Sequence, residues 1–177
     1  MNLKVILAID PSGSFKEGKG TTGFAIMKKD SKGRIKILDH FIVQATHYKR
    51  RSAYWEAVLY EIKCFMQKYR NGGLVIENFR LYATHAKAQV NHEMETCRLL
   101  GIIEMYCIEH EVPYYFQMAN QVKARWSDEV LIHKNILTKY KNAFYVDDYL
   151  VNEHARDAIR HGVHYLTFNK GACITNG

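Results

Sequence analysis

Leu3-Lys-Val-Ile-Leu-Ala-Ile-Asp10-Pro11 and, across a glycine-bearing loop, Thr22-Gly23-Phe-Ala-Ile-Met-Lys28 decide the fold class. The first reads as a buried strand over Leu3–Asp10: short, apolar, rich in β-branched residues and stopped by Pro11. Residues 11–21 read as a loop carrying Gly13, Gly18 and Gly20. Thr22–Lys28 and Arg34–Gln44 are β-rich runs separated by Asp30-Ser-Lys-Gly33, a turn composition that predicts a hairpin. Three strands in succession make an antiparallel meander.

Beyond the meander the period changes. Trp55, Val58, Leu59, Ile62, Phe65, Met66 and Tyr69 fall at helical spacing, and Asn71-Gly72-Gly73 ends that helix. Leu74-Val-Ile76 reads as a short buried strand ending at Glu77-Asn78. A helix is expected from near Gln89 to Glu109, then a strand over Val112–Gln117 and a basic, mixed stretch. Asn152 reads as the N-cap of a last helix to about Phe168, apolar at Ala155, Ala158, Ile159, Val163 and Leu166. The order βββ-α-β-α-β-α-α predicts an α/β chain: a mixed sheet, an antiparallel meander continued by parallel strands, flanked by helices. No linker or internal repeat divides it, so residues 1–177 read as a single domain.

Composition narrows the classes. The 177 residues are 47% hydrophobic and 24% charged, enough for a core and too apolar for a disordered tail. The net charge of +7 and a pI near 9.2 favour a polyanionic partner without identifying it. The early apolar run is too short for a signal or membrane segment, so no membrane is expected. Cys64, Cys97, Cys107 and Cys173 show no C-x-x-C pairing, which favours thiols in a reducing cytoplasm over disulfides or a zinc site.

Three carboxylates fall at element ends. Asp10 ends the first strand, Glu77 ends the fourth, and Asp157 lies about one turn into the last helix. If strands one and four are neighbours, Asp10 and Glu77 meet at one sheet edge, where sites form in open α/β sheets. Crowded carboxylates repel unless divalent cations lie between them, and hard oxygen donors suit Mg²⁺, with Mn²⁺ as substitute. Two ions about 3.5–4 Å apart can clamp the attacking and leaving oxygens of a phosphodiester displacement. Each acid alone reads sooner as a surface or capping carboxylate, and spacing does not decide between the readings.

Ile6-Leu-Ala-Ile-Asp10-Pro11-Ser-Gly13 followed by Thr22-Gly23-Phe-Ala-Ile26 resembles the opening of RuvC-type Holliday-junction resolvases. Val75-Ile76-Glu77 resembles the second motif of that family, and Glu153-His154-Ala-Arg-Asp157-Ala158 its last, where a ligating Asp or His precedes the final Asp by three residues. The motifs stand in the family's order and span nearly the whole chain. Glu77-Asn-Phe-Arg-Leu-Tyr82 and His154-Ala-Arg-Asp-Ala-Ile-Arg160 look especially like phage-encoded members. The resemblance implies an RNase H-like fold and a homodimer that nicks four-way DNA junctions with divalent metal, two ions per site, in the cytoplasm of a bacterial host. It carries Asp10, Glu77 and Asp157 over as catalytic metal ligands and matches His154 to a further ligand position. The loop from Ser12 to Thr21 is longer and more basic than the family's usual turn, and histidine is the softer ligand, so a general-base role stays open. Two rival functions are a broader phage nuclease that debranches DNA and a junction-binding protein without catalysis.

Gly13-Ser-Phe-Lys-Glu-Gly18-Lys19-Gly20 is a near miss to a P-loop, with Gly20 in place of the metal-binding hydroxyl and a strand where a helix is needed. Lys16 and Lys19 read instead as DNA-phosphate contacts or as simple loop solubility. Lys49, Arg50 and Arg51 beside Tyr48, and Lys123 and Arg125 beside Trp126, form two basic-aromatic stretches that suit phosphate contact and base stacking. Trp126 reads equally as core. Arg80 and Lys87 follow the strand of Glu77 and are further DNA candidates. Val90 to Ile108 is apolar on more than one face, as a deep core helix or one shared with a partner would be.

Overall fold

The computed structural model describes residues 5–15, 20–78 and 94–168. Three antiparallel strands open it: β1 (Ile6–Asp10), β2 (Thr21–Lys29) and β3 (Ile35–Gln44), as the meander predicts. After a 3₁₀ turn at Ala45–His47 come α1 (Arg51–Lys68), β4 (Gly73–Asn78), α2 (Glu95–Glu109) and β5 (Tyr114–Met118). The five strands form one sheet in the order β3-β2-β1-β4-β5, with β4 parallel to β1 and β5 parallel to β4. The meander is therefore continued by parallel strands, and the class read from the sequence holds. The expected start of α2 near Gln89 lies outside the described residues.

The basic, mixed stretch is more ordered than its composition suggests. It folds as two short helices, α3 (Ala119–Lys123) and α4 (Asp128–His133), and a separate three-stranded antiparallel sheet, β6 (Thr138–Tyr140), β7 (Ala143–Val146) and β8 (Tyr149–Leu150). That sheet was not expected. Its strands are two to four residues long, too short to show a period, and its turns carry left-handed Lys141 and Asp147 in place of glycine. The last helix, α5 (Glu153–Phe168), is capped as expected: the Asn152 side chain accepts from the backbone N–H of His154 at 2.9 Å.

Alternation along the strands sorts the core into two layers. Leu7, Ile9, Phe24, Ile26, Leu74 and Ile76 face α1 and α2, packing on Tyr54, Val58, Ile62, Leu99 and Ile103. Ile6, Ala8, Ala25, Met27 and Val75 face α5, against Ala155, Ala158, Ile159 and Val163. Because successive side chains point to opposite faces, Asp10 shares a face with Ile6 and Ala8, and Glu77 with Val75. Both acids therefore emerge beneath α5. The contact is close: a Cβ added at Gly23, the cross-strand partner of Asp10, would strike the backbone carbonyl of His154. Replacing Gly23 by Ala forces the first turn of α5 away from the sheet, an overpacking expected to lower stability by about 1–3 kcal/mol in urea unfolding.

Candidate active site

The carboxyl end of the central parallel pair is where the three acids meet. Ile9 is aligned with Ile76 across β1 and β4, so Asp10 and Glu77 end adjacent strands side by side. Asp157 comes down from α5. One carboxylate oxygen from each of Asp10, Glu77 and Asp157 lies within 4.8 Å of the others. Asp10 and Asp157 are buried, which sharpens their mutual repulsion. Such a set of hard oxygens on three elements is suited to a divalent cation. Burial pushes the Asp10 carboxyl above its ordinary range; the hydrogen bond to His154 works against this, and the charges of Glu77 and Asp157 add to the rise.

Cationic groups of the chain relieve part of this crowding. Lys123 Nζ sits 2.8 Å from Asp157 and 3.8 Å from Glu77. Burial alone would lower the Lys123 pKa, but the bond to Asp157 and the charges of Glu77 and Asp10 outweigh it and raise it. Arg160, one turn beyond Asp157, pairs with both Asp157 and Asp128 and donates from Nε to the carbonyl of Trp126 at 3.1 Å. His154 Nδ1 lies 2.8 Å from Asp10 Oδ2. That bond raises the His154 pKa; burial opposes it, and the charges of Asp10, Asp157 and Glu153 reinforce it.

The loop after Asp10 is tied down on its far side. Tyr54 donates its hydroxyl to the carbonyl of Ser12 at 2.6 Å, and Trp55 donates its indole N–H to the carbonyl of Gly13. Buried Glu95, at the start of α2, accepts from the backbone N–H of Phe15 at 2.7 Å and from Arg51 at 2.9 Å. Arg51, a DNA candidate in the sequence, thus helps anchor this loop.

The other candidates are spread. Lys49 and Arg50 are exposed just before α1. Arg125 is exposed and stacks on Phe168, with its guanidinium carbon 4.4 Å from the ring centre. Trp126 is core: it is 4% exposed and donates to His164 Nδ1 at 3.2 Å. Lys16, Lys19, Arg80 and Lys87 lie outside the described residues. A strand, β2, follows the P-loop-like segment, where a P-loop needs a helix. Lys123, a DNA candidate in the sequence, also sits among the acids, a placement that its local sequence does not show. Arg160, Gln117 and His161 also escaped the sequence reading. His161 Nε2 lies 2.9 Å from Glu77 and its Nδ1 2.9 Å from Gln117. The i, i+4 spacing from Asp157 is the signal that puts His161 on the same helix face.

No family model and no curated protein matches the chain. Solved structures do. Thermus thermophilus RuvC superposes with a TM-score of 0.67 at 16% identity, covering 96% of this chain and 98% of that one. The same organism's RuvC in complex with a Holliday junction substrate gives 0.68 at 15% identity, with the same coverage of 96% and 98%. The chain therefore has the RNase H-like fold of RuvC over nearly its whole length. Among the described residues no helix is long and apolar enough to cross a membrane.

The Asp10–His154 contact makes a prediction for the metal-free protein. The imidazole of His154 should titrate above its ordinary value in an NMR pH series, and Asp10→Asn should bring that titration down. An unchanged His154 titration in the variant would show that Asp10 does not hold its proton.

Proposed function

We propose that this chain is a structure-selective endonuclease that cleaves four-way DNA junctions by metal-dependent phosphodiester hydrolysis. The observation that carries the reading is the convergence of Asp10, Glu77 and Asp157, from three separate elements, at the carboxyl end of a RuvC-type sheet. A protein that only bound DNA would gain nothing from three acids facing phosphates. Their donor chemistry and mutual repulsion fit Mg²⁺, or Mn²⁺ in its place, with two ions per site. When bound, such ions would activate the attacking oxygen and stabilise the leaving one.

The chain's own groups then divide the remaining work. Asp10, Glu77 and Asp157 hold the ions. His154 is held at Nδ1 by Asp10 Oδ2, which leaves Nε2 to take a ligand position or to handle a proton. Lys123 Nζ, 2.8 Å from Asp157 and 3.8 Å from Glu77, is placed to meet the scissile phosphate. Lys49, Arg50 and Arg125 offer exposed charge for the flanking phosphates, within a net charge of +7.

Cutting paired strands of a junction requires two sites, hence a homodimer. One face of α2 favours it. Gly101, Met105 and Ile108 follow one another at helical spacing; Met105 is 54% exposed and Ile108 47%. On its other side α2 buries Leu99, Ile103 and Cys107 in the core, so both faces of the helix are apolar.

Labelled four-way, three-way and linear duplex DNA, each with Mg²⁺ and with or without EDTA, test the function. Four-way junctions should be cut with Mg²⁺ and spared with EDTA. Asp10→Asn should abolish cutting while keeping or tightening junction binding, because it removes a ligand and a negative charge facing phosphate. Equal cutting of linear duplex would refute junction selectivity, equal cutting of three-way DNA would favour a debranching nuclease, and binding without cutting would favour an architectural protein. Light scattering should give about twice the 20.6 kDa chain mass, and Met105→Glu should halve it. A wild-type monomer both free and on DNA would contradict the dimer.

A further inference from the structure

His161 is fully buried, yet both its ring nitrogens are engaged. Nε2 lies 2.9 Å from Glu77 Oε2, and Nδ1 lies 2.9 Å from Gln117 Oε1. An apolar residue would fill this part of the α5 core without desolvating an imidazole, so the ring's presence calls for a polar task. The fold explains the meeting. Glu77 and Gln117 are cross-strand partners on β4 and β5, so their side chains rise together on the face covered by α5. His161, four residues beyond Asp157, descends onto both.

Donor and acceptor counting fixes how the three are linked. An ionised Glu77 can only accept, so Nε2 of His161 carries the hydrogen. In a neutral ring Nδ1 is then an acceptor and needs a donor opposite it. Gln117 presents its oxygen there, while its Nε2 is buried with no hydrogen-bond partner. Turning that amide over, as its bonding directs, gives His161 Nδ1 a donor and the Gln117 nitrogen a partner; it leaves in the nitrogen's former place an amide oxygen, the group that buried sites more often tolerate unpaired. The chain of bonds runs from the Gln117 amide N–H to His161 Nδ1, and from His161 Nε2–H to Glu77 Oε2. The orphaned nitrogen and the buried ring point to the same arrangement.

We propose that His161 is a positioning residue, itself oriented by Gln117, that fixes the Glu77 carboxylate for divalent metal. By occupying Oε2 it leaves Oε1 on the side of Lys123, where the other acids lie. Without it, Glu77 stands at a strand end, 17% exposed, free to rotate toward the Lys123 ammonium. The proposal rests on the three acids being a metal site. Partners that orient ligating groups typically govern metal affinity by about 10–100-fold.

Titration of the full chain with Mn²⁺, reading free ion by electron paramagnetic resonance, tests it without any cleavage assay. His161→Leu should weaken Mn²⁺ about 10–100-fold while the metal-free thermal midpoint is maintained. His161→Gln keeps an N–H donor of similar reach and should recover most of the affinity. Gln117→Leu should weaken binding less, and the double variant should be no weaker than His161→Leu, because Gln117 acts through the ring. Wild-type affinity in a folded His161→Leu, or equal weakness in His161→Gln, would overturn the proposal. If His161→Leu does not fold, Gln117→Leu decides, and wild-type affinity there would overturn it. Absence of Mn²⁺ binding by the wild-type chain would instead bring down the metal-site reading, and this proposal with it.

Discussion

Three carboxylates that repel one another are held within 4.8 Å, and the architecture of this chain is what keeps them there. The cost of such crowding is met partly by cations and partly by packing. Lys123 and Arg160 bring positive charge against Asp157, and Lys123 also reaches Glu77. These half-measures leave Asp10 raised in pKa by burial and by its acidic neighbours, so the site still has a use for added positive charge. A fold that retains this electrostatic cost at the end of its central strands does so at the position where open α/β sheets bind ligands.

The packing half of the bargain is set by parity and proximity. Two hydrophobic layers, one on each sheet face, fix the register of β1 and β4, and a slip by one residue would turn both acids to the wrong face. Gly23 lets the first turn of α5 approach the sheet closely enough for His154 to reach Asp10 and for Asp157 to complete the cluster. On the opposite face, Glu95 and Arg51 secure the loop that leaves Asp10, which ties the site to α1 and α2. If α2 is the dimer helix, its partner contact lies on the same element that holds this loop.

Much of this was legible in the sequence, because it is written in local periods. The meander, the parallel continuation, the Asn152 cap and the final helix all follow from spacing and turn chemistry, whereas Asp10, Glu77 and Asp157 stand at element ends that spacing leaves ambiguous and are singled out by the resemblance to RuvC-type resolvases. What was hidden lies in contacts between distant residues or in elements too short to repeat. Arg51 and Glu95 are 44 positions apart, and nothing local pairs them. Lys123 stands among basic and aromatic neighbours in sequence, which suits a DNA contact, and nothing local shows its acidic company in space. The small sheet of β6, β7 and β8 turns on left-handed residues that are not glycine. His161 sits on the correct helix face, but a lone histidine among apolar neighbours does not announce its partners on two other strands.

The central claim is that Asp10, Glu77 and Asp157 together form a divalent metal site. Anomalous diffraction at the manganese edge, from crystals of the full chain soaked in Mn²⁺, tests it most directly. The account predicts anomalous density bounded by oxygens of all three carboxylates, with the Lys123 ammonium withdrawn from Asp157. A crystal that shows no manganese between these acids, with Lys123 still paired to Asp157 at saturating Mn²⁺, would contradict it.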